Sequence, residues 1–125
     1  MRKLLALLLI LSLAASAQVL VDQAGREVTV PPEVERVVSL YGVATLYLYA
    51  LGEQEKLVLG TYVGLRPDSP AWEALEAVDP DLEGKYTRQK PSLEEVLAQA
   101  PDLVLASAAR EQEIAAQLSA FDIPV

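Results

Sequence analysis

The stretch VERVVSLYGVATLYLYALG, from Val34 to Gly52, combines two patterns that together indicate the fold. Its first part, Val34 to Leu40, is a strongly apolar, β-branched run, which is typical of a buried strand. After Tyr41 and Gly42, apolar residues recur at helical spacing until Gly52 ends the helix. Those apolar positions are Val43, Leu46, Tyr47, Ala50 and Leu51. The stretch therefore predicts a strand, a tight turn and a helix.

The same alternation of strand and helix recurs further along the chain. The additional predicted strands are Lys56 to Val63 and Asp102 to Ser107, and the predicted helices are Ala71 to about Val78, Leu93 to Ala100 and Ala109 to Phe121. Ser92 and Glu95 form a capping box at the start of one helix, and Pro101 ends it. The last helix should bury Ile114, Leu118 and Phe121 along one stripe.

The remaining strands are predicted at the two ends of the chain. Gln18 to Asp22 and Arg26 to Val30 are short β-branched runs joined by a turn containing Gly25, which indicates a hairpin. Ile123 to Val125 begins a further strand. Alternating strands and helices form parallel βαβ units with right-handed crossovers. We therefore predict a three-layer α/β domain with a parallel central sheet and an N-terminal β-hairpin.

The first seventeen residues are typical of a signal peptide. Arg2 and Lys3 precede an apolar run, Leu4 to Leu13, and Ala15-Ser16-Ala17 is an A-x-A cleavage site. The run is shorter than the roughly twenty residues that span a bilayer, so no membrane insertion is expected after cleavage. No cysteine follows it to carry a lipid. We predict a signal peptide at 1–17, a single domain at 18–125 and a periplasmic product.

Composition narrows the possible partners. The chain has 18 acidic and 10 basic residues, and its formal charge of −8 becomes −10 once Arg2 and Lys3 are removed with the signal peptide. Such a charge disfavours nucleic acid and anionic membranes as partners. Histidine and cysteine, the usual ligands of zinc and other transition metals, are both absent from the sequence. We therefore expect no metal site, no cofactor and no disulfide.

The sequence lacks the patterns that enzymes require. It contains no G-x-G-x-x-G, no G-x-S-x-G and no histidine base. Glu94 and Glu95 are adjacent on a helix and so point about 100 degrees apart, which does not suit a paired acid system. The protein is therefore not expected to be an enzyme.

In open parallel sheets, ligands bind beyond the carboxyl ends of the strands. The loops predicted at that edge carry Tyr41, Tyr62 and Arg66, and the segment Gly84 to Pro91 can fold over the same edge. Tyrosines there offer flat apolar faces with a polar tip, which suits a large ring or chelate. Around Tyr86, the cations Lys85, Arg88 and Lys90 form either a binding loop or a solvated turn, and the residues alone leave both open.

The order REVTVPPEVERVVSLYGVATLYLYALG, LVLGTY, PSLEEVLAQAPDLVLAS and DIPV resembles one family. It is similar to the N-terminal lobe of the periplasmic substrate-binding proteins of ABC importers for ferric siderophores, haem and cobalamin. The resemblance covers essentially Gln18 to Val125, and its most specific part is the PSLEEVLAQAPDLVLAS segment. It implies a bilobed protein with a long connecting helix, of which this chain supplies one lobe, that binds its ligand between the lobes.

The resemblance also implies roles for particular residues. Tyr62 and Tyr86 match positions where cobalamin binders place aromatic rings against the ligand, and Tyr41 lies at the same edge. In haem binders, a tyrosine followed two residues later by an arginine, as in Tyr86-Thr87-Arg88, can coordinate the iron. Arg66 and Arg88 fit the arginines with which siderophore binders hold anionic chelates.

A second surface is implied at the start of a helix. Glu94 matches the outward glutamate that docks against arginines of the membrane permease, while Ser92 and Glu95 serve the cap. The alternative function is a small exported α/β interaction module, or a truncated, non-functional fragment that binds no ligand.

Overall fold

The structure, a computed structural model, describes residues 16–125. The strands are β1 (Gln18–Val21), β2 (Glu27–Val30), β3 (Val37–Ser39), β4 (Leu57–Thr61), β5 (Tyr86–Thr87) and β6 (Leu103–Leu105). The helices are α1 (Gly42–Ala50), α2 (Pro70–Glu76), α3 (Leu82–Lys85), α4 (Leu93–Ala98) and α5 (Gln112–Ser119), with one 3-10 turn at Gln54–Lys56. The predicted signal peptide lies, except for its last two residues, outside the described part of the chain.

Four strands form a parallel sheet in the order β5-β4-β3-β6. Beside β6, the backbone N–H of Val104 donates to the carbonyl of Pro124 at 2.9 Å, but this single bond does not make the segment 123–125 a strand, so the strand predicted to begin at Ile123 was wrong. The strands β1 and β2 pair separately as an antiparallel hairpin, with Gln18 opposite Val30. Gly25 in its turn has a φ of 77°, which glycine adopts without strain.

Helices cover both faces of the sheet. On one face, Val38 of β3 and Val104 of β6 pack against Val96 of α4 and Leu118 of α5. On the other face, Trp72 of α2 and Leu82 of α3 form a second cluster, against which Tyr49 of α1 packs. The predicted three-layer α/β domain with a parallel sheet and an N-terminal hairpin is confirmed.

The capping box at α4 is confirmed. The backbone N–H of Ser92 donates to Glu95 Oε2 at 2.7 Å, and the N–H of Glu95 donates to Ser92 Oγ at 3.2 Å. These bonds satisfy two amide groups that the first helical turn leaves unpaired. They also lower the pKa of the Glu95 carboxyl, because hydrogen bonds from Ser92 favour its ionised form.

The last helix differs from its prediction. It begins at Gln112 instead of Ala109, because Glu111 is buried and its carboxylate accepts the Ser107 N–H at 2.8 Å, which holds the preceding turn. Ile114 and Leu118 are buried as predicted, but Phe121 is 56% exposed. The prediction for Phe121 was wrong because the helix ends before it, at Ser119.

Candidate functional site

The four parallel strands place their carboxyl ends at one edge of the sheet, which is hereafter called the carboxyl edge. Tyr41 follows β3, the loop 62–69 follows β4, Arg88 follows β5 and Ser107 follows β6. Because β4 and β5 are neighbours in the sheet, the loops carrying Arg66 and Arg88 leave adjacent strands. The edge therefore brings together the loops on which sequence placed the candidate residues.

A buried polar network joins the first two of these loops. Thr45 Oγ1, in the first turn of α1, lies 2.6 Å from the carbonyl oxygen of Thr61 and 2.8 Å from Ser39 Oγ. Ser39 and Thr45 are fully buried, so each bond is made in a region shielded from water. The network fixes α1 against the ends of β3 and β4. The sequence pattern did not identify it.

Tyr41 lies at the end of the same network. Its carbonyl oxygen accepts the Thr45 N–H at 3.0 Å, and its side chain is 38% exposed. The side chain makes no capping hydrogen bond to α1. The backbone of Tyr41 therefore serves the start of α1, while its ring is available at the carboxyl edge.

Tyr62 and Tyr86 belong to an aromatic cluster that the structure builds from four elements. The ring centroids of Tyr62 and Tyr86 are 5.6 Å apart, Trp72 meets Tyr86 edge-on at 5.1 Å, and Tyr49 meets Tyr62 edge-on at 6.1 Å. Edge-on contacts at these distances are favourable for aromatic rings. Both candidate tyrosines are half-buried, and their rings pack largely against protein.

The hydroxyls of the cluster form a directed chain. Tyr49 donates to Asp79 Oδ2 at 2.7 Å, so its oxygen accepts from the Tyr62 hydroxyl, 3.1 Å away. Lys85 Nζ contacts both carboxylate oxygens of Asp79 at 2.9 and 3.0 Å and donates to the Gln54 carbonyl. Asp79 is almost completely buried, and its charge is balanced by Lys85. The Tyr62 hydroxyl therefore points into the protein.

The pKa values of the Tyr49 and Tyr62 hydroxyls are both raised in the folded protein. Desolvation raises the pKa of Tyr62 to about 12. It also raises the pKa of Tyr49 far above its usual value, reinforced by the hydrogen bonds with Tyr62 and Asp79. Both phenols are therefore protonated at neutral pH.

The Tyr86 hydroxyl is also engaged, because it donates to the carbonyl oxygen of Leu65 at 3.0 Å. Tyr86 is the first residue of β5, a strand that the sequence analysis had treated as part of a free loop. Lys85 precedes that strand, at the end opposite Arg88, and its amine is committed to Asp79. The cation cluster predicted around Tyr86 is thus divided, and only Arg88 and Lys90 follow β5 toward the carboxyl edge.

The two candidate arginines are exposed. Among residues 16–125, neither Arg66 nor Arg88 forms an ion pair. Both guanidinium groups can therefore accept an anionic partner without breaking an existing salt bridge, and a guanidinium binds a carboxylate in bidentate fashion.

Glu94 lies in the first turn of α4 and is exposed. Ser92 and Glu95 bind each other in the capping box, so they leave Glu94 outside that arrangement. An acid at this position is favoured by the helix dipole.

Two concavities lie away from the carboxyl edge. The larger, of about 530 Å³, is lined by residues that precede β3, β4 and β5, including Arg36, Gln54 and Lys85. The smaller, of about 200 Å³, lies between β2 and the segment 122–125. Parallel-sheet topology favours the opposite edge for ligand binding, and the exposed arginines lie there, so these concavities are not the candidate site.

No family model and no curated protein matches the sequence. Solved structures do match the fold. A periplasmic solute binding protein from Veillonella parvula DSM 2008 has a TM-score of 0.66 and 25% identity, covering 87% of this chain and 34% of its own. The heme binding protein HmuT matches with a TM-score of 0.58 and 21% identity, covering 88% of this chain and 33% of its own.

A third similar structure is an ABC-type Fe3+-hydroxamate transport system protein from Saccharomonospora viridis DSM 43017. Its TM-score is 0.51 at 22% identity, and the match covers 73% of this chain and 32% of that one. The chain spans about a third of the length of these proteins, which is consistent with an N-terminal lobe. The fold is therefore that of a lobe of the periplasmic solute-binding proteins, as the sequence resemblance implied.

Proposed function

We propose that residues 18–125 form the N-terminal lobe of the substrate-binding component of an ABC importer, following a signal peptide at 1–17. Its ligand is either cobalamin or an iron chelate, and the iron chelate is either a siderophore or haem. The similar structures are described as binding proteins for solute or heme and as part of an Fe3+-hydroxamate system, which supports a binding role over an enzymatic one. In the described part of the chain, no helix is long and apolar enough to cross a membrane.

The observation that carries the proposal is that Arg66 and Arg88 form no ion pair within residues 16–125. Arg66 and Arg88 follow adjacent strands at the edge where ligands of parallel sheets bind. Each is exposed in a chain of formal charge −8, so each places a positive charge at this edge of an acidic protein. Carboxylates of a siderophore, or the propionates of haem, have the charge and geometry that guanidinium groups bind.

The three candidate tyrosines support direct contact with the ligand less strongly than the two arginines do. Tyr41 presents an exposed ring at the carboxyl edge. The Tyr62 and Tyr86 hydroxyls are both engaged inside the protein, so coordination of haem iron by Tyr86 requires loss of its bond to Leu65. The engaged hydroxyls favour ligands that are held by charge and by ring contact.

The binding experiment measures affinities for haem, the ferric complex of a carboxylate siderophore and cyanocobalamin by titration calorimetry. We expect one of these ligands to bind and expect Arg66→Gln and Arg88→Gln each to weaken its binding about tenfold, as for loss of one partly exposed charge-assisted hydrogen bond. Lys56→Gln is the control, because Lys56 is a half-buried cation, paired with Glu53, that lies immediately before β4 at the opposite edge. Equal affinities for the wild type and both arginine variants contradict the proposal.

Glu94 is proposed to dock against the membrane permease of the importer. Its exposure and its freedom from the capping box support this role. In the same titrations, Glu94→Gln should bind ligand like the wild type. In cells that contain the complete importer, the same variant should show reduced ligand uptake. Weaker ligand binding by Glu94→Gln would assign Glu94 to the ligand site instead.

A further inference from the structure

The loop 62–69, hereafter the arginine loop, joins β4 to α2 and carries Arg66. It contains two positions in the left-handed region, Gly64 with a φ of 67° and Asp68 with a φ of 63°. Glycine adopts this region without strain, and aspartate is one of the few other residues that enter it readily. The contacts that hold the loop in this conformation can be identified.

The backbone around Arg66 is held on both sides. The carbonyl oxygen of Leu65 accepts the Tyr86 hydroxyl at 3.0 Å, and the Leu65 side chain is buried beside Trp72. The carbonyl oxygen of Arg66 itself accepts Ser69 Oγ at 2.7 Å and the Ser69 N–H at 3.2 Å. The backbone of Arg66 is thus fixed, although its side chain is exposed.

The beginning of the loop is held by the chain of hydroxyls. Tyr62, its first residue, donates to Tyr49, which donates to the buried carboxylate of Asp79. Asp79 is in turn held by Lys85, the residue immediately before Tyr86. The rings of Tyr62 and Tyr86 also pack against each other. The two tyrosines that hold the arginine loop are thus linked both by their rings and through Asp79 and Lys85.

We infer that Tyr86 is a positioning residue that fixes Arg66 through the carbonyl of Leu65, and that Tyr62 does the same at the start of the loop. The inference rests on the proposed function, in which Arg66 contacts an anionic ligand. A guanidinium carried by a fixed backbone loses less freedom on binding than one carried by a mobile loop, so its contact gives more affinity. Tyr86 then affects binding through Arg66 and contributes no ligand contact by its hydroxyl.

A double-mutant cycle distinguishes positioning from direct contact. Tyr86→Phe keeps the ring and removes the bond to Leu65, and we expect it to weaken ligand binding about fivefold, the size of one neutral hydrogen bond. In an Arg66→Gln background, the same change should have no further effect, because the residue it positions is gone. Tyr47→Phe is the matched control, since Tyr47 is 64% exposed on α1. If the losses in binding free energy caused by Tyr86→Phe and Arg66→Gln add up in the double variant, the inference is overturned.

Amide hydrogen exchange tests the same inference without a ligand. Tyr86→Phe should speed exchange of the Ser69 and Trp72 amides, whose bonds to Arg66 O and Ser69 Oγ close the arginine loop. Tyr47→Phe should leave those rates as in the wild type. Unchanged exchange in Tyr86→Phe refutes positioning whether or not a ligand binds. Faster exchange in a protein that binds none of the three ligands supports positioning and contradicts only the proposed function.

Discussion

At the scale of single residues, the chain from Tyr62 through Tyr49 to Asp79 determines what the aromatic cluster can do. Each hydroxyl has one proton, and the acceptor at the end, Asp79, is buried and paired with Lys85. The direction of the bonds is therefore fixed, and both phenols are held in the protonated form. A buried phenol that ionises loses its donor role and places a charge beside Asp79.

This arrangement predicts a specific loss of stability at high pH. The pKa of Tyr62 rises from 10.0 to about 12 on folding, because burial disfavours the phenolate. The unfolded chain therefore releases this proton first, and the contribution to the free energy of unfolding is complete below pH 10 and is lost as pH rises toward 12. Denaturant unfolding between pH 9 and 12 should show a shallower decline for Tyr62→Phe than for the wild type. Tyr47→Phe is the control and should follow the wild type, and an equally steep decline in Tyr62→Phe contradicts the prediction.

The sequence predicted part of this site and missed the rest. The sequence indicates Tyr62 and Tyr86 as site residues because Tyr62 follows a predicted strand and Tyr86 precedes a capped helix. Tyr62 bonds to Tyr49, 13 residues away, and Tyr86 bonds to Leu65, 21 residues away. Tyr49 in turn bonds to Asp79, 30 residues away, and no local pattern connects these residues. The direction of a hydroxyl depends on such distant partners, so it could not be predicted from the residues alone.

At the scale of elements, the start of α1 packs closely against the arginine loop at the carboxyl edge. A methyl group added to Gly42 would lie 2.8 Å from both Val63 Cγ2 and the backbone N of Val63. Only a residue without a side chain allows this contact. The tight turn predicted at Tyr41 and Gly42 is thus required by packing against a neighbouring loop.

We therefore expect Gly42→Ala to destabilise the protein by about 1–3 kcal/mol, the usual cost of overpacking, because the backbone of Val63 must move. Gly84→Ala is the matched control, since nothing lies within 4 Å of the added methyl and the residue is in α3. That change should be neutral or stabilise by up to about 1 kcal/mol. Chemical denaturation of the two variants checks the difference, and equal stabilities would show that the contact at Gly42 relaxes without cost.

The elements themselves were predicted unevenly, for physical reasons. The strands β3, β4 and β6 and the helix α4 have periodic apolar patterns or a capping box, which local sequence encodes. The strand β5 has only two residues and forms because Tyr86 and Thr87 pair with Gly60 and Thr61. So short a strand depends on its partner and has no pattern of its own. Without β5, the cations from Lys85 to Lys90 form one cluster in the sequence, whereas the strand separates Lys85 from Arg88 and Lys90.

At the scale of the whole molecule, the order of the chain matches its proposed route out of the cytoplasm. The predicted cleavage site ends at Ala17, and β1 begins at Gln18, which pairs with Val30. Ser16 and Ala17 are exposed and lie outside the strand. Cleavage after Ala17 would therefore leave every pair of the hairpin intact, and the mature lobe would start with its first strand.

This agreement leads to a prediction about processing. Signal peptidase requires small residues at the first and third positions before the cut, which are Ala17 and Ala15. On expression in a Gram-negative host, mass spectrometry of the periplasmic protein should find Gln18 as the first residue. Ala17→Leu should block cleavage, whereas Ser16→Leu, at the position between the two small residues, should be processed like the wild type. A product that retains Met1 in the cytoplasm, or equal processing of both variants, would contradict the assignment of residues 1–17 as a signal peptide.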